Sequence, residues 1–268
     1  MKVSQKTVFI TGVASGIGRA TAEKLVEGGH RVLGIDLYPC EISGVVSFVC
    51  DVTDEDAVEA LAAGLSERSV SLDVIINAAG VHAMCSLVEV EFSKMKRLVE
   101  INVCGAMLVN RLFHPLLSGD GRIVIVTSEV APLDPMPFNG LYSVSKTALD
   151  CYAQALRQEL NLLGQRVVTV RPGAIETPLA RGSLDATERL AENTRLYERQ
   201  AKHFLSITKR FMGIPMKPEV LARVIVKAAL TKRPRLVYSK HRSAGLLLLN
   251  ILPKRMQCAV IKMLLGRK

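Results

Sequence analysis

The chain has 268 residues, 49% of them hydrophobic and only 4% aromatic, with no Trp and a formal net charge of +10. That length and hydrophobicity exclude a disordered polar chain and suit one α/β domain with a mainly aliphatic core. No uninterrupted apolar run approaches the roughly 20 residues that cross a bilayer. The six cysteines lack C-x-x-C or metal-like spacing, so neither a disulfide framework nor a bound metal is expected.

From the start, "MKVSQKTVFI" runs into a strand without the pattern of a signal peptide, and a cytoplasmic location is expected. "IGRATAEKLVEGG" reads as an amphipathic helix with Ala22, Leu25 and Val26 on one face and Gly28-Gly29 as its stop. "HRVLGID" and "VVSFVCD" are the next strands, "DEDAVEALAAGL" a helix opened by an Asp cap, and "LDVIINAAG" a fourth strand. Helical sequence from about Glu91 to Leu117 precedes the strand "GRIVIVTS". A helix from Tyr142 to Leu163 carries Leu149, Ala153, Leu156, Leu160 and Leu163 on one stripe, and "QRVVTVRPG" is a sixth strand. "PRLVY" supplies the last one. These strands are β-branched runs without polar alternation, which predicts a parallel sheet covered by helices on both faces.

Charge is divided unevenly. Residues 199–268 hold 17 Lys/Arg against one acid, Glu219, whereas the first 198 residues are net acidic. Within the tail, "SAGLLLLNIL" and "MQCAVIKMLL" are short apolar helices separated by "PKR". Two readings stay open for this segment: insertion at an anionic membrane interface, or packing on the body or a sister subunit. No zinc-finger, helix-turn-helix or aromatic-studded motif accompanies the charge, so nucleic acid is not an expected partner.

The first strand empties into "TGVASGIG", with Gly12, Gly16 and Gly18 at the mouth of a helix and Ser15 and Ile17 between them. Such a turn lets backbone N–H groups and the positive helix end face a pyrophosphate. Asp36 closes the second strand, where a carboxylate accepts from ribose hydroxyls and repels a 2′-phosphate. No cation follows it, so NAD is favoured over NADP. The turn and the acid together predict a dinucleotide-binding Rossmann fold: a doubly wound parallel sheet, one domain over residues 1–238, and a basic, apolar helical tail over 239–268.

Several motifs in order make the resemblance specific. The sequence resembles the short-chain dehydrogenase/reductase family from about Thr7 to Leu230: "TGVASGIG" is similar to its TGxxxGxG turn, "NAAG" to its NNAG, and "RPGAIETP" to its PG segment. The resemblance implies that Asp51 and Val52 bracket the adenine. It implies that Asn77, Ala78 and Gly80 line the cofactor, and that Pro172, Gly173, Ile175 and Thr177 meet the nicotinamide half. Tyr142 and Lys146 are four residues apart and share one helix face. A phenol of pKa about 10 is a poor base at neutrality until positive charge lowers it. By resemblance Tyr142 is the acid/base, Lys146 lowers its pKa and holds the nicotinamide ribose, Ser128 binds the reacting oxygen, and Asn102 completes the tetrad. Ser128 precedes Tyr142 by 14 residues, one more than the family's usual spacing, which leaves Thr127 as the fallback donor.

The expected substrate is a lipophilic secondary alcohol or ketone of hydroxysteroid type, because apolar residues crowd three loops. Val81, Val130, Leu133, Met136 and Phe138 come first, then Leu179, Phe204, Phe211 and Met212 in the segment of about 175–215. Ser128, Val130, Phe138 and Tyr142 are the expected substrate contacts. Glu129 and His82 read as ordinary loop residues that could otherwise meet a polar end. Rival readings are a 3-oxoacyl-thioester reductase and a dinucleotide-sensing scaffold without turnover. The helices holding Asn102 and Tyr142 resemble the family's paired-helix contact, which implies a homodimer or homotetramer.

Overall fold

The computed structural model of the chain describes residues 4–211 and 215–266, the side chains of Arg210 and Phe211 excepted. Expectations placed on Phe211 and Met212 therefore lie outside what is described. Seven strands form one parallel sheet in the order β3-β2-β1-β4-β5-β6-β7. They are β1 (Thr7–Thr11), β2 (Arg31–Asp36), β3 (Val45–Val49), β4 (Leu72–Asn77), β5 (Leu117–Val126), β6 (Arg166–Pro172) and β7 (Val237–Lys240). Chain order runs outward from β1 to one edge and then from β4 to the other. The switch between β1 and β4 opens a crevice at their carboxyl ends, where such sheets take ligands.

Alternate side chains of each strand enter different layers. Phe9, Leu33 and Ile35 pack under α2 (Glu55–Glu67), α4 (Gly105–Phe113) and α5 (Gly140–Leu162). Val8, Ile10 and Val32 pack under α1 (Gly16–Glu27) and α8 (Pro218–Leu230). In that second layer Leu25, Leu221 and Ile225 are fully enclosed; truncating any of them to Ala costs about 2–5 kcal/mol. Asp54 caps α2 by accepting the amide of Ala57 at 3.0 Å, as its position before an apolar-periodic run dictates.

The structure departs from the sequence reading at the last strand, in the segment after β6 and in the turn before α4. The last strand is Val237–Lys240 rather than "PRLVY", because pairing with β6 fixes its register from Thr169↔Val237 to Pro172↔Lys240, and a proline has no N–H for a ladder. The segment after β6 is ordered into α6 (Pro178–Asn193) and α7 (Glu198–Phe211). The tail forms α9 (Ala244–Ile251) and α10 (Lys254–Leu265), and Leu265 joins Phe138, Leu190, Ala201 and Phe204 in a third apolar cluster. Between α3 (Phe92–Val99) and α4, residues Glu100–Cys104 form a wide π turn.

Candidate active site

The crevice is shaped first by backbone. Thr11 Oγ1 accepts the amides of Ala78 and Ala79, both at 3.1 Å, and so ties the ends of β1 and β4 together. Gly12 has φ +74, and a Cβ there would stand 2.9 Å from the amide nitrogen of Ala79. At Gly18 a Cβ would lie 1.9 Å from the Gly12 carbonyl oxygen, so α1 seats directly on the turn. The N-terminus of α1 has Ser15 at its cap with no side-chain hydrogen bond, leaving the first-turn amides available to an anion. Gly12, Ser15, Gly16, Ile17 and Gly18 form one wall of the cleft, and Ala78 to Val81 with Thr177 another. Asp36, Asp51 and Val52 also line the cleft. A glycine cradle, an uncapped helix and a strand-end carboxylate fit a dinucleotide.

Asp36 is oriented by the turn it faces: its Oδ2 accepts the Ala14 amide at 2.9 Å and its Oδ1 the Tyr38 amide at 3.2 Å. Asp51 is held by Thr53 through N and Oγ1 and by the Arg97 guanidinium at 2.6 Å. Burial alone would raise its carboxyl, but the Thr53 and Arg97 hydrogen bonds keep it below the usual range. Sequence reasoning missed Arg97, which stands 46 residues away with no motif to mark it.

Four polar side chains gather beyond the cleft floor. Asn102 lies in the π turn, a geometry frequent at functional sites; its Oδ1 accepts the Val81 amide at 2.8 Å and its Nδ2 donates to the Val81 carbonyl at 2.9 Å. Nδ2 also meets Ser145 Oγ at 3.0 Å. Lys146 is buried and donates to the Val126 carbonyl at 3.3 Å. A Cβ on Gly80 would meet Asn102 Oδ1 at 3.1 Å and Lys146 Nζ at 3.4 Å, so the bare glycine connects both groups to the cleft. Lys146 Nζ is 5.8 Å from the Tyr142 ring centre, and the Tyr142 phenol is hydrogen-bonded to Ser128.

The electrostatics differ from the sequence expectation. Burial pushes the Tyr142 phenol up to about 12, with the Ser128 hydrogen bond pulling the other way, and burial pushes the Lys146 amine down to about 8. The protein by itself therefore keeps the tyrosine protonated at neutrality. In the ligand-free protein burial dominates at both groups, and the Lys146 amine faces the Val126 carbonyl. Thr127 is turned to Asp150 Oδ1 at 3.2 Å and the Val170 carbonyl, so Ser128 is the hydroxyl that reaches Tyr142. In the intervening loop Phe138 has φ +65.

Several predicted residues stand elsewhere. Asn77 directs its amide to Asn110 Oδ1 at 2.7 Å and supports the strand end rather than lining the cleft. Pro172 accepts the Glu129 amide through its carbonyl, and Ile175 is buried in the layer beneath α8. Gly173 is held against the tail: a Cβ there would stand 1.7 Å from the His241 carbonyl oxygen. The Phe138 ring is enclosed edge-on by Tyr197 and Phe204, which leaves it to shape a wall from behind. Val130 is half-buried beside Ser128. His82 packs its ring 4.2 Å from that of Tyr142, and burial pushes its imidazole down to about 4. It is neutral at physiological pH.

The sequence model of the short chain dehydrogenases matches residues 6–188. The chain belongs to this family. Among relatives of this short chain dehydrogenase, the 1-hydroxy-2-glutathionyl-2-methyl-3-butene dehydrogenase of Rhodococcus sp. is 32% identical over 183 residues, 65% of this chain and 80% of the relative. The NADPH-dependent 1-acyldihydroxyacetone phosphate reductase of Schizosaccharomyces pombe is 31% identical over 66% of this chain and 62% of its own. A short chain dehydrogenase from Burkholderia cenocepacia, solved in complex with NADP, shares the fold with a TM-score of 0.73 at 20% identity, covering 99% of both chains. The short chain dehydrogenase described here is thus an oxidoreductase with a Rossmann dinucleotide site.

Proposed function

We propose that this enzyme interconverts a lipophilic secondary alcohol, of hydroxysteroid type, and its ketone, with NAD preferred over NADP. The observation that carries the reading is the meeting of Tyr142, hydrogen-bonded to Ser128, with buried Lys146 at the edge of the dinucleotide cleft. When bound, the nicotinamide supplies the hydride acceptor for oxidation and, once reduced, the donor for reduction.

Ser128 orients the substrate oxygen, and Tyr142 moves a proton at its phenolic oxygen: it receives the alcohol proton in oxidation and returns it to the ketone oxygen in reduction. At neutrality the protein alone presents the protonated phenol, the form that reduction needs. Lys146 holds the ribose side of the cofactor, and Asn102 fixes the Val81 segment that bounds it. Thr177 frames the nicotinamide side from the cleft wall.

The preference for NAD rests on Asp36, whose carboxylate borders the cleft with no neighbouring cation in sequence. The Schizosaccharomyces pombe relative is named for NADPH, so cofactor choice within the family is a local matter. Support for a lipophilic substrate comes from the apolar surroundings: Val81 and Leu179 are exposed at the cleft, and Phe138, Phe204 and Tyr197 pack behind it. The test is a panel of steroid, long-chain and short polar alcohols with NAD and NADP, read at the nicotinamide absorbance. Turnover confined to small polar alcohols, or faster with NADP, would refute the respective half of the proposal.

A further inference from the structure

We propose that the outer face of α9 and α10 docks on an anionic membrane surface. The inner side of this pair is already fixed to the body. Ser243, at the start of α9, donates its amide to Glu129 Oε2 at 2.6 Å, and Asn250 Oδ1 accepts the Asp134 amide at 2.7 Å. Lys254 pairs with Asp134, and Leu265 closes the cluster around Phe138. The outward side is therefore presented in one orientation.

What that side presents is apolar. The eight residues of α9 include four leucines and an isoleucine, none of them buried. Leu248 and Ile251, three residues apart on one face, are 66% and 77% exposed, and Met256 and Met263 of α10 are 52% and 56% exposed. Those fractions far exceed what a helix packed on its own core leaves open, so the face awaits an apolar neighbour. The two helices rise only roughly 12 and 18 Å, short of a hydrocarbon core of about 30 Å. Among the described residues no helix is long and apolar enough to cross a membrane. A helix pair of this length lies in the interface instead.

Charge selects the occupant. From residue 239 onward the sequence contains no Asp or Glu, while Lys240, Arg242, Arg255 and Lys262 flank the apolar side chains. Two copies meeting through this face would bring like charges together. Lipid headgroups of negative charge satisfy the cations while acyl chains take the leucines and methionines. The first turn of α9 hangs from Glu129, the residue after Ser128. The membrane contact nevertheless stands apart from the assigned reaction.

Sedimentation of the full-length protein with vesicles tests it. Binding to phosphatidylcholine vesicles containing phosphatidylserine should exceed that to phosphatidylcholine alone at least tenfold, and should weaken in 1 M salt. The pair Leu248→Glu/Ile251→Glu should lower binding at least tenfold, as should Arg255→Glu/Lys262→Glu, while NADH binding is retained as the check on folding. Vesicle binding is read without turnover, so it fails or succeeds independently of the substrate assignment. Wild-type protein that stays in solution with both vesicles would overturn the proposal. So would Leu248→Glu/Ile251→Glu protein that binds like wild type, or that merely converts a dimer to monomers.

Discussion

The backbone amide of Ser243 donates to Oε2 of Glu129 at 2.6 Å, so the residue that follows Ser128 also anchors the first turn of the tail. Burial raises the Glu129 carboxyl, opposed by the Ser243 hydrogen bond and the nearby charges of Arg242 and His241. Glu129→Ala orphans the Ser243 amide and costs about 1–3 kcal/mol. Hydrogen exchange should show the amides of α9 opening faster while those of β5 keep their protection. A raised acid pKa means the folded protein binds more protons above pH 4.5. Its contribution therefore lowers stability as pH rises through the folded value, and Glu129→Gln should remove that slope in thermal melts taken across pH.

Tyr142→Phe should keep NADH binding, followed by fluorescence, and lose about 10²–10⁴-fold in turnover. In the wild type, ketone reduction uses the protonated phenol and should hold steady through neutrality. Alcohol oxidation uses the phenolate and should climb with pH. A phenylalanine variant with wild-type turnover removes Tyr142 from the proton step.

Lys146 carries a stability cost. Its amine falls to about 8 in the folded chain from 10.5, so the unfolded state binds more protons between these values and stability rises with pH across that window. Full charge at neutrality corresponds to a cost on the order of 3 kcal/mol. Lys146→Met relieves it but leaves the Val126 carbonyl without its donor, for a net gain of about 1–3 kcal/mol in the ligand-free protein. Melts at pH 7 should show the gain, and titration with NADH should show weakened binding.

Asp36→Asn preserves an acceptor for the Ala14 amide while removing the charge and the acceptor for the Tyr38 amide. The ratio of kcat/KM with NAD to that with NADP should fall roughly tenfold or more, equivalent to about 1.4 kcal/mol. An unchanged ratio assigns cofactor choice to other residues.

The parallel sheet, its switch point and the glycine turn were legible because each has a local cause: β-branched runs, a helix start and positions where a Cβ collides. Ser128, Tyr142, Lys146 and Asn102 converge as the motif order implies. What stayed hidden depends on the tertiary environment. Burial raises the Tyr142 phenol and lowers the Lys146 amine, and no spacing rule conveys burial. Gly173 reads as a cofactor glycine, yet the His241 carbonyl is what excludes a side chain there. The helices α6 and α7 pack on Phe138 and the tail instead of the sheet, so their pattern lacks the strand-flanked context that marks α1 or α5. The tail's inner face lies on the body through Glu129 and Asp134, contacts that no spacing in the sequence marks.

Asn102 grips the peptide of Val81 at both its N–H and its C=O, as a neighbouring strand would. A single planar amide thereby substitutes for a missing rung of the ladder. Tolerance at this position is set by hydrogen-bond polarity more than by volume: aspartate, nearly identical in shape, turns an acceptor toward the Val81 carbonyl and repels it. The gentlest substitution by size is the harsher one chemically.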